Sequence, residues 1–114
     1  MTDTEELLQK AEAGDNNAQY FVSEGYAFGL FGFEQSHKKL IDCAEKNWGF
    51  AQSYVSRGYA YGIYGFDPEP DKLRECAEKG WGSAQRYFIL GYAVGENEQS
   101  IVQRAWNKLK SIWT

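Results

Sequence analysis

The stretch Ala11-Glu12-Ala13-Gly14-Asp15-Asn16-Asn17-Ala18-Gln19-Tyr20, closed by Tyr26-Ala27-Phe28-Gly29, decides the fold because it returns. Laid over itself at an offset of 33, the chain matches Ala11 to Cys43 onto Ala44 to Cys76 at 15 of 33 positions, and Ala77 opens a third, shortened copy. The Ala-Gln pair recurs as Ala18-Gln19, Ala51-Gln52 and Ala84-Gln85, each followed by Gly-Tyr-Ala and a further glycine. A fixed period of this length marks a solenoid, in which each unit buries its apolar face only against its neighbours. Such folds hold partners more often than they do chemistry.

Each unit divides into two helical patterns. In the first, helix A, Ala18, Phe21, Val22, Gly25 and Tyr26 stand at i, i+3, i+4, i+7 and i+8, one face of an α-helix, with Ala51, Tyr54, Val55, Gly58, Tyr59 and Ala84, Tyr87, Phe88, Gly91, Tyr92 as equivalents. Gly29, Gly62 and Gly95 follow, where a left-handed residue would end the helix. The second pattern, helix B, repeats Leu40, Cys43, Ala44 as Leu73, Cys76, Ala77, and the same register puts Leu7, Lys10 and Ala11 on an N-terminal helix B. Asp3 with Glu6 suits a capping box there, and Asp67 followed by Pro68 suits a cap and first-turn proline before Leu73. Ile101, Val102, Ala105, Trp106, Leu109, Ile112 and Trp113 form a longer amphipathic pattern that would cover the last apolar face.

The expectation is an all-α chain, a short right-handed α-solenoid of about seven antiparallel helices. It forms one domain over residues 1–114, with units 11–43, 44–76 and 77–95 and a capping helix at 97–113. Small residues at Ala11, Ala18 and Gly25 would admit close approach between helices of adjacent units; glycine inside a helix costs roughly 0.5–1 kcal/mol relative to alanine, so contact has to compensate. Cys43 and Cys76 share one repeat position and should lie about a helix spacing apart, ~8–10 Å, too far for a disulfide and consistent with buried, reduced thiols.

The repeat resembles the Sel1-like branch of the tetratricopeptide superfamily, whose unit reads roughly A-A-E-x-G-[DN]-x-x-A-Q-x-x-L-G-x-x-Y-x-x-G. The likeness covers about residues 7 to 95. The period of 33 is shorter than that family's usual one, Ser23, Ser56 and Ile89 replace its glycine, and Trp48 and Trp81 stand where an acidic residue is common. Ankyrin repeats share the period, but the T-P-L-H signature is absent. The resemblance implies an adaptor, inhibitor or regulator that binds other proteins on a short superhelix. The family's secreted branch carries disulfide-linked cysteine pairs in each repeat, and this chain has one cysteine per repeat.

A net charge of −4 argues against nucleic acid, whose binding rests on clustered Lys and Arg. Charge is uneven: residues 1–37 carry Asp3, Glu5, Glu6, Glu12, Asp15, Glu24 and Glu34 against Lys10 alone. An acidic end would steer a basic protein partner. No apolar run approaches the roughly 18 residues of a membrane span and the first ten residues are polar, so a cytoplasmic protein without membrane association is expected. His37 is the only histidine, and the chain has no H-E-x-x-H, C-x-x-C, P-loop or nucleophile elbow, so neither enzyme activity nor a cofactor or metal is expected.

Positions that differ between units are free for a ligand. On helix A the stripe Asn17, Tyr20, Glu24 becomes Phe50, Ser53, Arg57 and then Ser83, Arg86, Leu90. The candidate partner-binding set is Tyr20, Glu24, Phe50, Ser53, Arg57 and Arg86, together with Phe31 and Tyr64 in the aromatic-glycine turns and Trp48 and Trp81 in the links between helices B and A. For the two tryptophans, plugging the groove between repeats is the favoured reading over standing exposed, while Phe33 and Phe66, unchanged, should fold back onto the core. The occupant would be another protein, in the sharpest form a basic toxin or nuclease domain neutralised by a small inhibitor or immunity protein. A general adaptor, a homodimer and, from another class, a hydrolase or small-molecule binder in the groove are the competing readings.

Overall fold

The computed structural model describes residues 3–90, and all its regular structure is helical: α1 (Asp3–Glu12), α2 (Asn16–Phe28), α3 (His37–Glu45), α4 (Gly49–Tyr61), α5 (Pro70–Glu78) and α6 (Gly82–Ile89). No strand occurs among the described residues. The expected seventh helix at 97–113, with Gly91, Tyr92 and Gly95, lies outside them. Helices α1, α3 and α5 are the B pattern; α2, α4 and α6 are the A pattern. Each B helix packs on the A helix that follows it, and α2 packs on α4 and α4 on α6, whereas α1, α3 and α5 make no comparable approach to one another.

The joints explain why the pattern repeats. Each B helix ends in a Schellman motif: Gly14, Asn47 and Gly80 take φ of 102°, 69° and 91°, and their amides donate to the carbonyls of Ala11, Ala44 and Ala77. The next residue's amide then reaches back to Lys10, Cys43 or Cys76. A second tie comes from the invariant glutamines. Gln19, Gln52 and Gln85 Nε2 donate to the same three carbonyls at 3.0, 3.2 and 3.1 Å, so each A helix gives a second donor to a carbonyl at the end of its B helix. These carbonyls belong to the ends of the B helices and not to the loops.

Buried side chains of all three repeats form one core: Ala11, Ala18, Val22, Leu40, Ala44, Ala51, Val55, Leu73 and Ala84 among them. The buried Ser23 and Ser56 hydroxyls donate to the carbonyls one turn back, at 2.7 and 2.8 Å. Cys43 and Cys76 are buried and free.

Three local expectations are corrected. Asp3 stands inside the first turn of α1 rather than capping it. Helix α5 begins at Pro70, with Glu69 at its cap, not at Asp67-Pro68; Pro68 is occupied elsewhere, its ring against Gly62, and the Glu69 amide donates to the Tyr59 carbonyl, which holds the chain extended for two more residues. The helical glycines make room for rings rather than for neighbouring helices. A Cβ on Gly25 would lie 2.5 Å from Cδ2 of Phe33, and one on Gly58 would lie 2.7 Å from Cγ and 2.9 Å from Cε2 of Phe66. Phe33 and Phe66 are buried and fold back as expected, each edge-on to a tyrosine of the same repeat, Tyr26 or Tyr59, at 4.9 Å.

Gly58→Ala is therefore expected to destabilise the chain by about 1–3 kcal/mol, because displacing an aromatic ring outweighs the gain of about 1 kcal/mol in helix propensity. Gly49→Ala, at a position with open space around it, should be neutral or stabilising. Urea unfolding of the two variants side by side checks the contrast.

Candidate functional site

Helix A turns its variable stripe away from the B layer, and the aromatic-glycine turns rise beside it. Gly29 and Gly62 end α2 and α4 in the left-handed conformation, with their amides donating to the Gly25 and Gly58 carbonyls at 2.7 Å. Two residues on, Phe31 and Tyr64 also take positive φ, 59° and 60°, a conformation costing a bulky L-residue roughly 1–2 kcal/mol. The consequence is that both rings are set against helix A. Phe31 meets Phe21 at 5.3 Å, and Tyr64 meets Phe28 at 5.1 Å and Tyr54 at 5.3 Å, all edge-to-face.

The stripe and the turns thus form one surface. Tyr20 lies edge-on to Phe50 at 4.9 Å, joining α2 to α4, and Phe28 joins Tyr54 at 5.8 Å. Arg57 Nη1 donates to the Tyr64 hydroxyl at 3.0 Å, and its guanidinium lies 5.8 Å from the centre of the Tyr54 ring. The Tyr64 hydroxyl first, and Tyr87 second, hold that guanidinium in its charged form. Burial pushes the Tyr54 phenol up to about 12, and the nearby Glu24 carboxylate adds to the shift. Large rings remain open to solvent here: Phe31 and Phe50 are each 46% exposed, and Phe21, Phe28 and Tyr61 are exposed as well.

Not every candidate belongs to this surface. Trp48 and Trp81 are buried at 6% and 7% exposure and are withdrawn from the partner-binding set. They stand at the cap positions of α4 and α6, where the first repeat has Asp15 accepting from the Ala18 amide at 3.0 Å. Units two and three give up that capping bond, worth about 1 kcal/mol, for a buried indole, worth more. Ser53 is also engaged, its hydroxyl sharing a hydrogen bond with that of Ser83 at 2.9 Å between α4 and α6. Arg86 and Leu90 are exposed at the α6 end, Glu24 is half-buried, and Tyr20 and Tyr64 are half-buried with open edges.

Sequence reasoning missed Phe21, Phe28, Tyr54 and Tyr61. It assigned Phe21 and Tyr54 to the core because they fall at i+3 from Ala18 and Ala51, yet Phe21 is 39% exposed. The readable signal was the aromatic pairs at i and i+7, Phe21 with Phe28 and Tyr54 with Tyr61, which continue one face of helix A past its core edge.

Two clefts open elsewhere. One, of about 400 Å³, lies by Thr4, Leu8, Tyr26, Gln35 and Lys39; the other, of about 220 Å³, lies between α3 and α5 with Tyr59 and Cys76 on its wall and Glu45, Lys72 and Lys79 at its rim. Burial pushes the Cys43 and Cys76 thiols up to about 11, so neither is a ready nucleophile at neutral pH. His37 packs edge-on to Phe66 at 5.4 Å across the repeat boundary. Among the described residues no group of acidic, histidine and cysteine side chains is arranged to hold a metal, and no helix is long and apolar enough to cross a membrane.

No family model, curated protein or solved structure matches the chain.

Because the native thiols ionise well above the ordinary value of 9.0, the unfolded state releases these protons first as pH rises. Their contribution to stability is full below pH about 9 and is lost toward pH 11. Thermal melts over that window should show a falling midpoint, with a smaller fall in Cys43→Ser and Cys76→Ser.

Proposed function

We propose that the chain is a protein-binding module, a Sel1-like right-handed α-solenoid that presents its stacked A helices and aromatic turns to a partner. In its sharper form it is an inhibitor that seats on a basic effector, such as a toxin or nuclease domain, and blocks it without chemistry of its own. It acts in the cytoplasm and needs no cofactor.

One observation carries the reading. Phe31 and Tyr64 occupy a backbone conformation that glycine adopts freely, at the same place in two repeats, and Phe31 holds its ring substantially in solvent. Backbone strain of this kind persists where a side chain has a task beyond packing. The continuous exposed aromatic face to which both rings belong supports it, since aromatic and arginine side chains dominate binding hot spots. The acidic balance of residues 1–37 supports a basic partner. For the solenoid, the support is the equivalence of joints: the same Schellman turn, glutamine tie and core alanine appear in all three units.

The immobilised protein, exposed to extract of its native host, is expected to retain one specific protein, and that complex should weaken steeply with salt if the partner is basic. Phe31→Gly is expected to weaken capture more than about tenfold while changing stability by less than about 1 kcal/mol, because relief of the left-handed strain offsets the lost ring contact. A variant that loses stability but binds normally would assign the ring to packing. Sedimentation of the isolated chain separates a heterologous partner from a second copy.

A further inference from the structure

The charged groups of the A-helix face are not treated alike in its two well-formed repeats. In the second, Arg57 lies against Tyr54 and donates to the Tyr64 hydroxyl. In the first, the equivalent positions hold Glu24 and Phe31, so both the charge and the hydroxyl are gone. Glu24 stands one turn from Tyr20 and one turn from Phe28 on the same side of α2. Across from it on α4 is Tyr54, whose phenol feels the Glu24 carboxylate. Phe28 and Tyr54 are themselves in edge-to-face contact. Glu24 is half-buried and takes part in none of the ion pairs among the described residues, nor in any of their hydrogen bonds.

We infer that the surface formed by Glu24, Tyr20 and Phe28 is the seat for an arginine side chain of the protein partner. The inference rests on the partner-binding reading above and names the chemistry that this part of the face recognises. A carboxylate among ring faces and edges suits a planar guanidinium, which stacks on an aromatic while its fork pairs with both carboxylate oxygens; a compact ammonium pairs with the charge but gains less from the rings. The protein itself shows the arrangement one repeat later, where its own Arg57 fills the aromatic surroundings. An incoming arginine supplies in the first unit the cation that the second unit carries covalently.

The test titrates the isotope-labelled full chain with N-acetyl-arginine amide, and in parallel with N-acetyl-lysine amide and tetramethylammonium, while backbone amide shifts are followed. Saturable shifts centred on Tyr20, Glu24 and Phe28 are expected with the arginine probe, with Kd at least about threefold lower than for lysine. Glu24→Gln should weaken the arginine probe about tenfold or more, as loss of a charge-assisted pair does, and Glu12→Gln, on another face, should leave it unchanged. Tyr20→Leu, folded by circular dichroism, should weaken it as well. Shifts scattered over every acidic side chain, indifference to Glu24→Gln, or equal binding of tetramethylammonium would overturn the assignment. The partner-binding reading is judged separately by whether Phe31→Gly loses the captured protein, so the two can fail independently.

Discussion

The contact of an aromatic ring with a bare helix backbone, Phe33 on Gly25 and Phe66 on Gly58, is the constraint on which the rest of this structure depends. It pulls each glycine-rich turn down onto the helix it has just left. In the pinned turn the two residues before the buried phenylalanine take positive φ: Gly32 and Gly65 without cost, Phe31 and Tyr64 at some cost. The exposed rings are therefore held by the same contact that closes the core.

The layering follows from how the remaining space is filled. Successive A helices touch directly, through the Tyr20–Phe50 rings and the Ser53–Ser83 hydroxyls, so the A layer is continuous. The B helices stand apart, and each gap is bridged in the same way. Glu12 pairs with Lys46 at 2.6 Å and Glu45 with Lys79 at 3.5 Å, and each lysine lies 5.3 Å from the ring centre of the buried tryptophan that follows it. Surface ion pairs of this sort contribute about 0–1 kcal/mol each, so the indoles carry most of the joint. The tryptophans thus belong to the stacking of units, while the exposed rings lie along the A helices and their turns.

Much of this was legible beforehand because a repeat reports on itself. Ala18, Ala51 and Ala84 had to share one environment, and Gly29 and Gly62 had to close helices, since nothing else explains their return at a fixed interval. The readings that failed concerned alternatives of equal local merit. Asp67-Pro68 and Glu69-Pro70 both look like helix starts, and only the packing of Pro68 on Gly62 decides between them. Phe21 and Val22 are both apolar at core spacing, and only the position of the neighbouring helix decides that Val22 is enclosed while Phe21 is left at the rim.

The sequence by itself determined the helical class and the places where α2 and α4 end, because helix periodicity and left-handed turn residues are local. Tertiary structure alone decided which aromatics are core and which are surface, that Trp48 and Trp81 are enclosed, that the turns and the A stripe make one face, and that among the described residues Glu24 has no ion pair while Arg57 is provided with partners. Hydrophobic character and charge are properties of a residue, but enclosure and pairing depend on what the fold brings within a few ångströms of it.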